Sequence, residues 1–113
     1  MTRSHVTTHI LDTGAGRPAA GVAASLWALY DDGETWVGEG TTDGDGRIGS
    51  LGPEQLEPGT YRIDFATGDY FAATGTETFF PGVSLTFSLT DPGQHYHVPL
   101  LLSPFAYSTY RGS

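Results

Sequence analysis

The sequence contains no cysteine, no lysine and no long apolar run. Without cysteine, disulfide bonds, thiol catalysis and thiolate metal sites are excluded. No stretch approaches the ~20 apolar residues of a membrane-spanning helix, and the start lacks a basic region followed by an apolar stretch. No peroxisomal tripeptide is present. We therefore expect a cytoplasmic protein that is neither exported nor bound to a membrane.

The balance of charge is strongly acidic. Thirteen Asp and Glu residues stand against five basic residues, all of them arginine, and the net charge is −8. Such a chain has no basic surface for nucleic acid or for anionic lipid. Each arginine is therefore informative, because a cation in an acidic protein is a local feature rather than background.

Composition and turn signals favour an all-β fold. The chain has 113 residues, enough for one domain, and it holds 16 glycines and 7 prolines. Alternation of apolar and polar residues predicts strands at 5–12, 22–30, 34–41, 59–66, 83–90 and 95–102. Their spacing is typical of a two-sheet antiparallel sandwich of seven to eight strands, with one short helix near 69–74.

Finer predictions follow from the same patterns. We predict a single domain over 1–113 with a disordered start at 1–4. The turn at 91–93 predicts that the last two long strands form an antiparallel hairpin. Trp27, Trp36 and the phenylalanines are assigned to the core.

Histidines occupy the polar faces of the first and last long strands. His95 and His97 lie opposite an apolar row at 96, 98, 100 and 102, because side chains on a strand alternate with period two. His9 has the same relation to Val6 and Ile10. Leu11, Pro99 and Leu101 share the histidine faces, which is typical of a surface buried by a second subunit.

Arg47 follows the Gly-rich loop 42–46, whose residues tolerate tight turns. A rigid loop of this kind would hold the guanidinium in place. The plain alternative is an exposed arginine paired with Asp43 or Asp45.

Three segments together resemble the transthyretin-related 5-hydroxyisourate hydrolase family of urate breakdown. They are 8–12, 95–104 and the closing residues Tyr110, Arg111, Gly112 and Ser113. The resemblance implies a transthyretin-like sandwich and a homotetramer, a dimer of dimers with substrate clefts between the dimers. It also implies hydrolysis of 5-hydroxyisourate to 2-oxo-4-hydroxy-4-carboxy-5-ureidoimidazoline, with no cofactor.

That reaction needs a base for water and a cation or donor for the developing oxyanion. We assign His9 and His97 to water activation and proton transfer, without deciding which is the base. Arg47 is assigned to substrate binding and charge stabilisation. Tyr110 and Ser113 would contact the ring or position the water.

Two other functions compete with hydrolysis. His95 and His97, two residues apart on one strand, could join His9 in a three-histidine zinc site. Alternatively, a channel between subunits could carry a small molecule, as transthyretin does, although histidines and arginine make a polar channel. A passive adhesion module would fit the fold but leaves the closing motif unexplained.

Overall fold

A computed structural model describes residues 3–113, which form two β-sheets packed face to face around one core. One sheet, here called the site sheet, contains β1 (Val6–Asp12), β2 (Arg17–Pro18), β5 (Arg47–Ile48), β8 (Tyr96–Ser103) and β9 (Ala106–Thr109). The other contains β3 (Ala23–Tyr30), β4 (Gly33–Thr41), β6 (Gly59–Phe65) and β7 (Val83–Leu89). The predicted all-β sandwich with one short helix, α1 (Thr67–Ala73), is confirmed.

The strand orders are β2-β1-β8-β9, with β5 also on β1, and β4-β3-β6-β7. All pairings are antiparallel except that of β1 with β8, which is parallel. Within residues 3–113 no helix is long and apolar enough to cross a bilayer.

The core lies between the sheets and is built from one face of each long strand. In β1, Val6 and Ile10 are fully buried, and in β8 the residues at 96, 98, 100 and 102 are buried as predicted. Burial of this apolar area supplies the main driving force for folding, about 25 cal/mol per Å². The opposite faces of β1 and β8 take no part in this core and are available for a functional site.

The predicted hairpin between β7 and β8 is wrong. Strand β7 pairs with β6, and β8 pairs with β1 and β9, so the two strands belong to different sheets. Both carry an apolar row toward the same core, so they face each other across it. The crossing is held by Tyr96, whose hydroxyl accepts hydrogen bonds from the backbone N–H groups of Thr90 and Asp91.

The closing segment is a hairpin rather than one continuing strand. After β8 ends at Ser103, the chain turns at Pro104 and Phe105 and returns as β9 against β8. The Ser-Pro pair is the sequence signal for this turn.

Several aromatic side chains predicted to lie in the core are exposed in the structure. Trp36 is 52% exposed and Phe79 is 72% exposed, so the assignment of both tryptophans and every phenylalanine to the core is wrong. Trp27 lies on the outer face of its sheet beneath the Arg62 guanidinium, whose carbon is 5.7 Å from the ring centroid. Trp27 is only half-buried, and alternation within β3 places it on the face opposite the buried Leu26.

The disordered start predicted at 1–4 is wrong at its last residue. Ser4 is only 3% exposed. Its hydroxyl donates to the Val6 carbonyl at 2.5 Å and accepts from the Leu51 N–H at 2.9 Å. Residues 1 and 2 lie outside the described residues.

Replacing Ser4 by alanine tests this anchor. The change leaves the buried Leu51 N–H without its acceptor, which costs about 1–3 kcal/mol. Urea unfolding should show a lower midpoint with an unchanged slope. Ser50→Ala is the matched control, because Ser50 is exposed and its hydroxyl makes no hydrogen bond within residues 3–113. Equal midpoints for the two variants would contradict the anchor.

Candidate active site

The outer face of the site sheet carries the histidines. The parallel register places Thr7 beside His97 and His9 beside Pro99. The ring centroids of His9 and His97 are 6.5 Å apart, and those of His95 and His97 are 6.3 Å apart. The prediction that His9 and His97 point away from the core is therefore confirmed, and both are half-buried.

Arg47 reaches this face through the pairing of β5 with β1, in which it lies opposite His9. Residues directly opposite in an antiparallel pair point to the same side of the sheet. The loop before it is fixed because one carboxylate oxygen of Asp43 accepts from the N–H groups of Asp45 at 2.9 Å and Arg47 at 3.0 Å. These two N–H groups, followed by the Arg47 charge, lower the pKa of Asp43.

The rigid mount expected for Arg47 is present. Gly46 adopts φ +76, where glycine is favoured, and its carbonyl accepts from the Ile10 N–H at 2.7 Å. A Cβ at Gly46 would stand 2.4 Å from the Ile10 carbonyl oxygen. The guanidinium of Arg47 itself forms no ion pair among residues 3–113. Its positive charge is therefore available to bind a ligand.

The closing residues pass directly over His97. The Gly112 N–H donates to the His97 carbonyl at 2.9 Å, and a Cβ on Gly112 would lie 2.6 Å from Cδ2 of the imidazole. Only glycine allows this approach. Arg111 holds the segment by stacking 4.5 Å from the Tyr96 ring centroid and by donating to the Gln94 side chain at 2.9 Å.

A cavity of about 230 Å³ opens on this face. Three of the predicted site residues line it together: Arg47, His97 and Ser113. His9 lies beside it, next to His97, and is not among the lining residues. Tyr110 lines a different groove, of about 340 Å³, that His97 also borders.

Three further residues around the cavity were given no role in hydrolysis by the sequence analysis. Arg3, Thr7 and His95 also line it. Alternation does place Thr7 and His95 on the histidine face, so the signal was present for both. Arg3 lies in the segment predicted to be disordered, and no local sequence pattern marks it.

His5 is a structural residue in spite of its position four residues before His9. It is 5% exposed, its Nδ1 accepts from the Leu56 N–H at 2.8 Å, and its Nε2 lies 2.6 Å from the Gln94 carbonyl. A nitrogen that accepts is bare, so the other must carry the proton. His5 is thus a neutral imidazole joining two loops to β1.

The cavity keeps its histidines neutral. Burial lowers the pKa of His97 first, and the charges of Arg47, His9 and Arg3 lower it further. Burial also lowers the pKa of His95, followed by the charges of Arg3, His97 and His5. An imidazole with a lowered pKa remains an unprotonated base throughout the neutral range.

This arrangement suits addition of water to a polarised carbonyl. It combines a neutral imidazole with two guanidinium groups and a hydroxyl in one concave site. The zinc alternative lacks support, because no group of three or more His, Asp or Glu within residues 3–113 could hold a metal ion.

Comparison with known proteins gives consistent results. The profile of the HIUase/Transthyretin family matches residues 6–112. A 5-hydroxyisourate hydrolase from Salmonella dublin is 49% identical over 109 residues, which cover 96% of this chain and 80% of that protein.

Two solved structures are also similar. The 5-hydroxyisourate hydrolase of Klebsiella pneumoniae has a TM-score of 0.85 at 36% identity, covering 96% of this chain and 98% of that one. Sea bream transthyretin in complex with thyroxine has a TM-score of 0.89 at 35% identity, covering 95% and 93%. A hydrolase and a transthyretin solved in complex with thyroxine therefore share this fold.

The electrostatic influence of Arg47 on His97 can be tested by NMR titration of the His97 ring. In the wild type the midpoint should lie below the ordinary value of 6.5. Arg47→Gln removes a neighbouring cation and should raise the midpoint, while the share due to burial remains. Arg17→Gln, an exposed change in β2, is the control and should leave the midpoint in place. A midpoint that does not move in Arg47→Gln would show that the two groups are not close.

Proposed function

The chain belongs to the HIUase/Transthyretin family, and we propose that it is a hydrolase that opens the six-membered ring of 5-hydroxyisourate at the cavity on the site sheet. The observation that carries this proposal is the meeting of Arg47, His97 and Ser113 around one cavity. These residues come from three separate segments and have no shared role in the core. The product expected is 2-oxo-4-hydroxy-4-carboxy-5-ureidoimidazoline.

His97 is the better candidate for the base. It lines the cavity, its pKa is lowered, and its Nδ1 is held by a hydrogen bond with Thr7. The remaining nitrogen, Nε2, makes no hydrogen bond within residues 3–113. It can therefore take a proton from water as the water oxygen bonds to the ring carbonyl carbon. That proton then goes to the nitrogen that leaves when the C–N bond breaks.

Arg47 stabilises the negative charge that develops on the carbonyl oxygen. Its guanidinium is permanently charged and presents donors in a plane that matches flat, oxygen-rich rings. His9, 6.5 Å from His97 by ring centroids, is placed to assist proton transfer or to orient the ring. Ser113 supplies a hydroxyl to the water, and Tyr110 would reach the substrate only from the adjoining groove.

A homotetramer with sites at the dimer–dimer interface fits this face. The cavity is shallow and open, whereas hydrolytic sites exclude most of the solvent. Leu11 and Leu101 lie half-buried beside the histidines, and Pro99 is already buried within the subunit. A second copy related by two-fold symmetry would cover these residues and supply the missing wall. The cytoplasmic location expected from the sequence stays a prediction.

A small-molecule carrier is the competing function, since sea bream transthyretin was solved with thyroxine. The lining of the cavity argues against a hydrophobic cargo here. It contains two arginines and two histidines, Arg3, Arg47, His95 and His97. Burying an apolar ligand against them would leave charged and polar groups without partners, which is costly.

The activity is tested by generating 5-hydroxyisourate from urate with a urate oxidase and following the decay of its absorbance. The wild type should accelerate the decay. His97→Asn should lose about 100- to 10,000-fold, the usual value of a general base. Arg47→Gln should also lose activity, and Arg17→Gln should match the wild type. His9→Asn tests whether the second imidazole takes part.

Each result has a distinct meaning. No acceleration by the wild type over buffer would overturn the proposed function. Wild-type turnover in His97→Asn would instead remove His97 from the mechanism. Loss of activity with added chelator would revive the metal alternative.

A further inference from the structure

Thr7 lies between two imidazoles on the floor of the cavity. Its hydroxyl oxygen is 3.0 Å from Nε2 of His95 and 2.8 Å from Nδ1 of His97. Thr7 is 7% exposed, so both contacts are shielded from bulk water. Both distances are within the range of good hydrogen bonds.

A hydroxyl has one proton to donate and lone pairs with which to accept. It can donate to one imidazole nitrogen and accept from the other, but it cannot donate to both. If both contacts are hydrogen bonds, at least one of the two nitrogens must therefore carry a proton. The tautomers of His95 and His97 are linked through this single oxygen.

The surroundings select the direction of these two hydrogen bonds. Arg3 and Arg47 line the same cavity as His97. Two cations favour a lone pair facing the cavity and disfavour an N–H in that position. The proton of neutral His97 therefore belongs on Nδ1, where it is donated to Thr7, and Thr7 in turn donates to Nε2 of His95.

We propose that Thr7 is a positioning residue that fixes both His95 and His97 as the Nδ1-protonated tautomer, so that His97 presents a bare Nε2 to the substrate. The inference rests on the proposed function for its catalytic meaning. The arrangement of protons stands on the geometry alone. His95 belongs to the site through Thr7 and needs no contact with the substrate.

The adjacent residue shows what a purely structural threonine looks like. Thr8 is 1% exposed, and its hydroxyl donates to the Val98 carbonyl at 2.6 Å. It lies on the core face of β1 and satisfies a backbone group. The hydroxyl of Thr7 instead forms hydrogen bonds with two ionisable side chains. Thr7 and Thr8 therefore form a matched pair for experiment.

The test measures ¹⁵N chemical shifts of the histidine rings together with kcat and KM in the wild type, Thr7→Val, Thr7→Ser and Thr8→Val. In the wild type at neutral pH, His97 should carry its proton on Nδ1 and His95 on Nδ1 as well, leaving both Nε2 atoms bare. Thr7→Val should shift His97 toward the Nε2-protonated form. It should lower kcat about tenfold, the usual effect of one lost hydrogen bond, with little change in KM.

Controls separate this role from stability. Thr7→Ser keeps the hydroxyl and should restore both the ring shifts and kcat. Thr8→Val should lose stability without moving the ring shifts of His97. A wild-type His97 protonated on Nε2 would overturn the proposal even if Thr7→Val failed to fold, and so would identical ring shifts in wild type and Thr7→Val. Absence of ring-opening activity in the wild type would overturn the proposed function while leaving the ring shifts to judge Thr7.

Discussion

The parallel pairing of β1 with β8 is the constraint on which the site depends. Its register sets Thr7 beside His97 and His9 beside Pro99, joining segments about ninety residues apart in the chain. The same register aligns Val6 and Ile10 with the buried row of β8. Slipping a strand by one residue would turn every side chain to the other face. Core packing and site geometry are therefore fixed by one set of backbone hydrogen bonds.

Two further attachments complete the face, and both rely on glycine. Gly46 lets the 42–46 loop approach β1, so that Arg47 enters the sheet opposite His9. Gly112 lets the closing segment lie on the His97 ring, which brings Ser113 to the cavity. In a chain of net charge −8, the face gathers two of the five arginines. A locally cationic cavity in an acidic protein suits an electron-rich, partly anionic substrate.

Most of the correct structural predictions rest on the alternation of apolar and polar residues along the chain. Alternation identified the long strands, the buried row of β8 and the outward direction of His9 and His97, because period two is a local property of any strand. Which strands become neighbours is not local. Strands β7 and β8 both present an apolar row to the core, and the same pattern fits a hairpin or two facing sheets. The turn at 91–93 is compatible with both arrangements, and the predicted hairpin is wrong for that reason.

The site residues also divide into those that local patterns predict and those that only the fold brings together. Sequence patterns and the family resemblance point to His97, Arg47 and Ser113. They do not point to Arg3, because its N-terminal segment shows no periodicity. In the sequence Thr7 is one polar position among others on β1, and its significance lies in a register that only the fold reveals.

A crystal structure of the assembled protein with a stable, planar analogue of the substrate ring would test the central claim most directly. We expect the analogue in the cavity of the site sheet, with Arg47 donors and His97 Nε2 about 2.7–3.2 Å from its polar atoms. A second subunit should close over it. An analogue bound elsewhere, with this face empty and open to solvent in the assembly, would contradict the account.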